Sequence, residues 1–290
     1  MLLFWGYPTQ DTTYCVNKSP AGAFERCIDL CLGSDSCMLS YGNDSTCILC
    51  DIFTVTSIIQ SDSSENTKLA IKVDQQNQCP EDVQSNQYTK SDPYGNSYEL
   101  SFNGSSWTVT YPKSCPNRLW RMFPRTIGPF CLRVDTSTER ITRNSALRYC
   151  RVLFDGGYLA GVTSAAEYNH VLSVAKKWNS NSTNYDYLGV WISGLKKSEC
   201  ESTQVAGCSG INAFQEFPGQ TTFDYYNFPP GYPNFAMRGT GSVYSRCLQL
   251  VWAQQKSAFD GKVINAACEY PCNEAETICA YSFACGVLAT

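Results

Sequence analysis

Histidine is nearly absent: His170 is the only one in 290 residues. That scarcity removes most routes to acid–base catalysis, because histidine is the side chain that titrates near neutral pH. It also leaves mixed Cys/His zinc sites without ligands. Charged residues make up only 17 % of the chain, and the net charge is −4. There is no basic stripe, which argues against a nucleic-acid partner. No apolar run approaches the ~20 residues of a membrane span. Residues 1–5 are apolar, but Gly6-Tyr7-Pro8 ends the run, short of the roughly 7–15 apolar residues of a signal peptide. A signal peptide is therefore not evident. No nucleophile–base pair or phosphate loop is apparent, so an enzyme is not expected, and His170 reads as an ordinary surface or half-buried residue.

Cysteine is what the chain has in excess, with 17 residues. Reducing compartments keep thiols free, so this density points to a secreted, extracellular, disulfide-bonded protein. A metal site built from cysteines alone needs paired CxxC elements, and the chain has a single one, Cys47-Ile48-Leu49-Cys50. Redox chemistry there is disfavoured: such motifs open helices, whereas Thr54-Val55-Thr56 follows and favours strand. Asn-x-Ser/Thr sequons occur at Asn17, Asn43, Asn103 and Asn181. Pro20 makes Asn17 the poorest, so Asn43, Asn103 and Asn181 are the expected glycosylation sites.

The length suits two domains. Seven cysteines precede residue 80 and ten lie from Cys115 onward. The expected organisation is a disulfide module over 1–78, a linker over 79–114 and a second domain over 115–290. Within the linker, residues 98–102 and 107–111 alternate about Asn103-Gly104, which reads as a β-hairpin. In the first module, Cys27 and Cys31 are four apart, on one helix face, and Gly33 marks the helix end. In the second domain, Ala146, Leu147, Cys150, Leu153 and Phe154 have helical spacing, with Thr142 or Asn144 as N-cap. Ser164-Ala165-Ala166-Glu167 is a capping box, in which Glu167 is expected to reach the Ser164 amide. A helix from Tyr168 to about Trp178 follows. Residues 187–195 read as a buried strand. Cys200 and Cys208 are close enough for a local loop staple.

The Cys27-x3-Cys31-x5-Cys37 spacing, with Cys47 in a later strand, resembles the PAN/apple module. The resemblance implies the pairs Cys31–Cys37 and Cys27–Cys47. Cys15, Cys50 and Cys79 remain, and three cannot pair among themselves. One is free, paired across domains, or paired between chains as a disulfide-linked dimer.

The second domain resembles the C-type lectin-like domain in Cys115, Trp120 with Phe123, Cys131, Cys150, Gly157-x-Leu159-Ala160-x-Val162-x-Ser164-x-x-Glu167, Trp191-Ile192-x-Gly194-Leu195, Cys247 and Cys268. Together the two modules resemble the secreted roundworm lectin family. The resemblance implies an α+β fold: a C-type lectin-like domain of two helices, two small sheets and a long loop region, preceded by a small PAN-like α+β module. It implies Cys115–Cys131, Cys247–Cys268 and a bond from Cys150 to a C-terminal cysteine. Cys279 is preferred to Cys285 for that bond, leaving Cys272 with Cys285.

In that family, calcium is held by a Glu-Pro-Asn or Gln-Pro-Asp triplet, a later Glu before a cysteine, and a Trp-Asn-Asp triplet. Here the matching positions are Tyr232-Pro233-Asn234, Ser245 and Val263-Ile264-Asn265. Pro233, Asn234 and Asn265 survive, but every carboxylate is gone, and Asp260 is out of register. Calcium needs about 6–8 oxygens, several of them charged, so no high-affinity calcium, no other metal and no cofactor are expected. Residues 211–245 hold nine aromatics, and their only charged residues are Glu216, Asp224 and Arg238. Most of those rings are expected to form the loop's own small core, with tyrosines favoured for exposure. The expected ligand contacts are Tyr232, Pro233, Asn234, Asn265, Tyr225 and Tyr226. The implied function is carbohydrate binding with weak or no calcium dependence, on glycans or glycoproteins, in innate defence. The alternative is a module that binds an extracellular protein or matrix ligand.

Overall fold

The computed structural model describes the whole chain apart from residues 10–14, 19–21, 75–86, 93–95, 183–184, 202–206, 221, 235–236, 239–242, 256 and 274–276. It divides into two compact units: residues 1–114 with 122–129 and 289–290, and residues 115–121 with 130–288.

The N-terminal unit contains β1 (Leu2–Pro8), β2 (Val16–Lys18), α1 (Phe24–Leu32), β3 (Cys37–Asn43), β4 (Thr46–Asp51), β5 (Ser57–Gln60), β6 (Lys68–Ile71), β7 (Gln87–Ser91), β8 (Ser97–Phe102) and β9 (Ser106–Thr110). Helix α1 buries Phe24, Cys27 and Cys31, an i, i+3, i+7 stripe. Its first amide, that of Phe24, donates to Asp44 Oδ1 at 3.3 Å from the β3–β4 turn. Cys31–Cys37 and Cys27–Cys47 staple the helix to β3 and β4, as the resemblance implies. Cys50 bonds Cys15. Side chains alternate along a strand, so Cys47 and Cys50, three apart on β4, face opposite ways and take different partners. The CxxC is thus two separate structural cysteines. Eight disulfides use sixteen cysteines; the seventeenth, Cys79, lies outside the described residues.

The strands form one nine-stranded sheet in the order β2-β4-β3-β6-β1-β5-β9-β8-β7. β8 and β9 are the hairpin expected around Asn103, with Phe102 opposite Trp107. Asn103 Oδ1 accepts the Ser105 and Ser106 amides at 3.0 and 2.9 Å, which closes the turn. The hairpin does not hang free. β9 pairs β5, and Trp107 packs among Phe4, Tyr88 and Phe102 in the core.

After a short strand β10 (Arg121–Phe123), the second unit contains β11 (Phe130–Thr136), α2 (Arg143–Leu153), β12 (Tyr158–Leu159), α3 (Ala165–Ser182), β13 (Tyr187–Lys196), β14 (Phe214–Gln215), β15 (Met237–Arg238), β16 (Val243–Tyr244), β17 (Cys247–Ala253), β18 (Val263–Ala266) and β19 (Cys279–Leu288). The main sheet runs β11-β19-β13-β17-β18, with β12 on β19 and β14 on β13. β19 is central, antiparallel to β11 and parallel to β13. Thr142 caps α2 by accepting the Ser145 amide at 3.3 Å. The capping box of α3 forms with one change. Ser164 Oγ accepts the Glu167 amide at 3.2 Å, but Glu167 Oε2 accepts the Thr163 amide at 2.7 Å rather than that of Ser164. The helix is also longer than expected at both ends. Trp191 is fully buried, its indole N–H donating to the Ile141 carbonyl at 2.7 Å.

Cys115–Cys131, Cys200–Cys208 and Cys247–Cys268 form as expected. The remaining two pairs differ from the expectation. Cys150 bonds Cys285, and Cys272 bonds Cys279. Cys279 and Cys285 are six apart on one strand, but the β13–β19 register shifts between Ala280 and Ser282, and that extra residue interrupts the alternation between them. They also differ in position along β19. Cys285 lies opposite Leu159 of β12, just past the end of α2, whereas Cys279 starts the strand beside Cys272.

Candidate functional site

The base of the long loop is tied by one buried amide and one buried ammonium. Asn265, on β18, is fully buried. Its Oδ1 accepts the Asn234 amide at 2.9 Å. Its Nδ2 donates to the Asn234 carbonyl at 3.0 Å, to Asn234 Oδ1 at 2.9 Å and to the Ser245 carbonyl at 2.8 Å. Lys196 ends β13 and is 1 % exposed, its Nζ donating to the same Asn234 carbonyl at 2.6 Å. A lysine at the end of a strand usually leans into water, but a bulge intervenes here. The β13–β17 register shifts between Ile192 and Leu195, around Gly194 at φ 121°. Two residues, Ser193 and Gly194, stand without partners on β17, which breaks the regular pairing, and beyond them Lys196 turns in. Sequence reasoning missed this residue. The available signal was an isolated glycine inside a strand pattern.

The loop aromatics mostly pack on one another. Phe217, Phe223 and Tyr226 form edge contacts with centroids 4.8–5.8 Å apart, and Phe214 stacks on Phe228 at 5.9 Å. Tyr226 is buried, its hydroxyl 3.2 Å from Ser193 Oγ and donating to Gln220 Oε1 at 3.1 Å. Tyr226 and Asn265 are thus internal struts of the loop rather than surface groups. Tyr225, Tyr232, Pro233 and Asn234 stay half-buried. Tyr225 lies against Tyr168 at 5.5 Å and Tyr232 against Phe259 at 6.0 Å. Phe235 and the Arg238 side chain lie outside the described residues.

A family model described as C-type lectin domain-containing protein 141/158 matches residues 124–288. The chain belongs to this family. A model of a PAN-like domain matches residues 1–73. No curated protein sequence matches. Solved structures similar to the lectin-type unit include CEL-IV, at 19 % identity over 61 % of this chain and 96 % of that one, with a TM-score of 0.39. CEL-I from Cucumaria echinata is 17 % identical over 61 % and 98 %, with a TM-score of 0.36. Ovocleidin-17 of the Gallus gallus eggshell is 19 % identical over 61 % and 100 %, with a TM-score of 0.34.

The donor set at the family's calcium position does not fit that ion. Asn234 Oδ1 and Asn265 Oδ1 each already accept a hydrogen bond from the other residue. The Asn234 carbonyl is shared by an amide and an ammonium. A divalent cation there would face the Lys196 charge, and none of the matching positions supplies a carboxylate.

Two other groups lie on α3 and just after it. His170 on α3 is half-buried, and burial together with the charge of Arg121 pushes its pKa down to about 4. Sequence reasoning did not single out Tyr185, which is 38 % exposed. It stacks on Tyr281 at 4.8 Å, and Tyr281 stacks on Trp178 at 5.1 Å. Asn179 fixes Tyr185 from both sides, its Nδ2 donating to the Tyr185 carbonyl at 3.0 Å and its Oδ1 accepting the Tyr185 amide at 2.9 Å.

Proposed function

We propose that this chain is a secreted, extracellular glycan-binding protein whose lectin-type unit engages its ligand without calcium. The observation that carries the reading is the Lys196–Asn234–Asn265 tie, which holds the long loop with internal donors and one fixed ammonium. A loop closed this way is preorganised without an ion, so ligand contact falls to its half-buried rim: Tyr225, Tyr232, Pro233 and Asn234. Tyrosine rings pack on the apolar face of a sugar and offer a hydroxyl beside it. A role in defence against microbes follows the family resemblance. No catalytic role is proposed.

The sequons support the extracellular assignment. At Asn43 and Asn103 the sequon serine hydroxyl donates to the asparagine Oδ1, at 2.7 and 3.2 Å, on turns between strands. Asn181 is exposed on the last turn of α3. All three are proposed glycosylation sites. Cys79 is proposed to bridge two chains.

Binding of the glycosylated full-length chain to a glycan array, with and without chelator, tests the function. Signals that persist in chelator are the expected result, and signals lost on chelation would overturn it. The loss of the family's carboxylates favours a second reading, a protein or matrix ligand. Absence of any glycan signal under both conditions would select it.

A further inference from the structure

The N-terminal unit holds a pocket of about 240 Å³, below the ~300–1,000 Å³ of drug-sized sites. Its floor is apolar, from Met38, Ile52 and the ring of Tyr98, all buried. Its wall carries two ammonium groups. Lys90 Nζ is engaged by Asp74 and the Ser91 carbonyl, both at 2.7 Å. Lys72 Nζ donates to the Ser34 carbonyl at 2.7 Å, which uses one of its three hydrogens. Burial pushes the Lys72 pKa down and the charge of Asp35 partly opposes this, with Lys90 adding to the lowering and Asp51 to the opposition. A ligand carboxylate beside Lys72 would oppose the lowering further.

Opposite in character is Asn96, which is 1 % exposed. Its amide is fixed by Asp92: Nδ2 donates to Oδ2 at 2.6 Å and the backbone N–H to Oδ1 at 2.8 Å. That orientation leaves Oδ1 as a buried acceptor with no partner among the described residues. A buried acceptor without a donor costs about 1–3 kcal/mol, which a donor on a ligand would offset. Asp35 adds a carboxylate to the same lining. One pocket thus presents a cation, a fixed acceptor, an acid and an apolar floor.

We propose that this pocket binds a small α-amino or α-hydroxy acid with an apolar side chain. The carboxylate goes to Lys72, the α-substituent donates to Asn96 Oδ1, and the side chain lies on Met38 and Ile52. Calorimetric titration of the full chain tests it with four probes of one skeleton: L-leucine, L-2-hydroxyisocaproate, L-leucinamide and 4-methylpentanoate. At least one of the first two should bind, with the amide and the acid lacking an α-donor at least tenfold weaker. Which of the first two binds tighter identifies the α-substituent. Absence of binding by both, or equal binding of all four, overturns the proposal. Lys72→Met should weaken the tighter probe at least tenfold, and unchanged affinity in that variant also overturns it. The Asn96 side-chain amide resonances should move on adding the tighter probe and stay in place with 4-methylpentanoate. The probe series on the native chain decides the matter even if the variant fails to fold.

Discussion

At the scale of single residues, the long loop is closed by groups that would otherwise look like remnants. Asn265 satisfies three acceptors and one donor from a buried position. Asn265→Ala leaves the Ser245 carbonyl and the Asn234 amide and Oδ1 without this partner, while Lys196 still holds the Asn234 carbonyl; stability should fall by about 3 kcal/mol, read from the denaturant midpoint. Tyr226→Phe removes only one hydroxyl from the Ser193–Gln220 contacts, so about 1–2 kcal/mol is expected in the same measurement. His170 gives a pH signature. The unfolded chain takes up its proton near pH 6.5, the folded chain only near 4. Stability from this residue is complete above about pH 6.5 and falls as pH drops toward 4, by up to ~3 kcal/mol. His170→Gln should flatten the fall in melting temperature between pH 7 and 4.5.

At the scale of elements, what was legible in the sequence was local. Thr142, Ser164 and Glu167 announce helix starts because a cap is chosen by its own backbone amides. Asn103-Gly104 announces its turn because few residues accept that geometry. What was not legible depended on distant partners. No pattern within residues 97–110 says that β9 will pair β5. Nothing local tells Cys279 from Cys285; the register shift on β19 and the docking of α2, which separate them, both depend on distant partners. Lys196 stands just past the strand expected over residues 187–195, and nothing local says that it turns inward beyond the bulge at Gly194. At the candidate site, the missing carboxylates were visible residue by residue. The ammonium that takes up one of the remaining oxygens was not. The caps can be tested singly and together. Thr142→Ala and Ser164→Ala should each cost about 1 kcal/mol of stability. They should add in the double variant, because the two caps serve separate helices and share no hydrogen bond.

For the whole molecule, the cysteine count is the most direct test. Sixteen cysteines are engaged in eight bonds within the chain, and Cys79 is the odd one. The oxidised protein should run at twice its chain mass on a non-reducing gel and at its chain mass after reduction, and Cys79→Ser should abolish the heavier band. A wild-type band at chain mass with one titratable thiol would instead mean that Cys79 is free.

The place of β19 has a consequence for how the protein is made. The strand that fills the middle of the second unit's sheet is the last of that unit's strands to be made, and Cys150 waits 135 residues for its partner on that strand. At roughly 5–20 residues per second, that interval is about seven to twenty-seven seconds. Throughout it, the emerging lectin-type segment has no centre to close on, and its thiols are open to premature pairing.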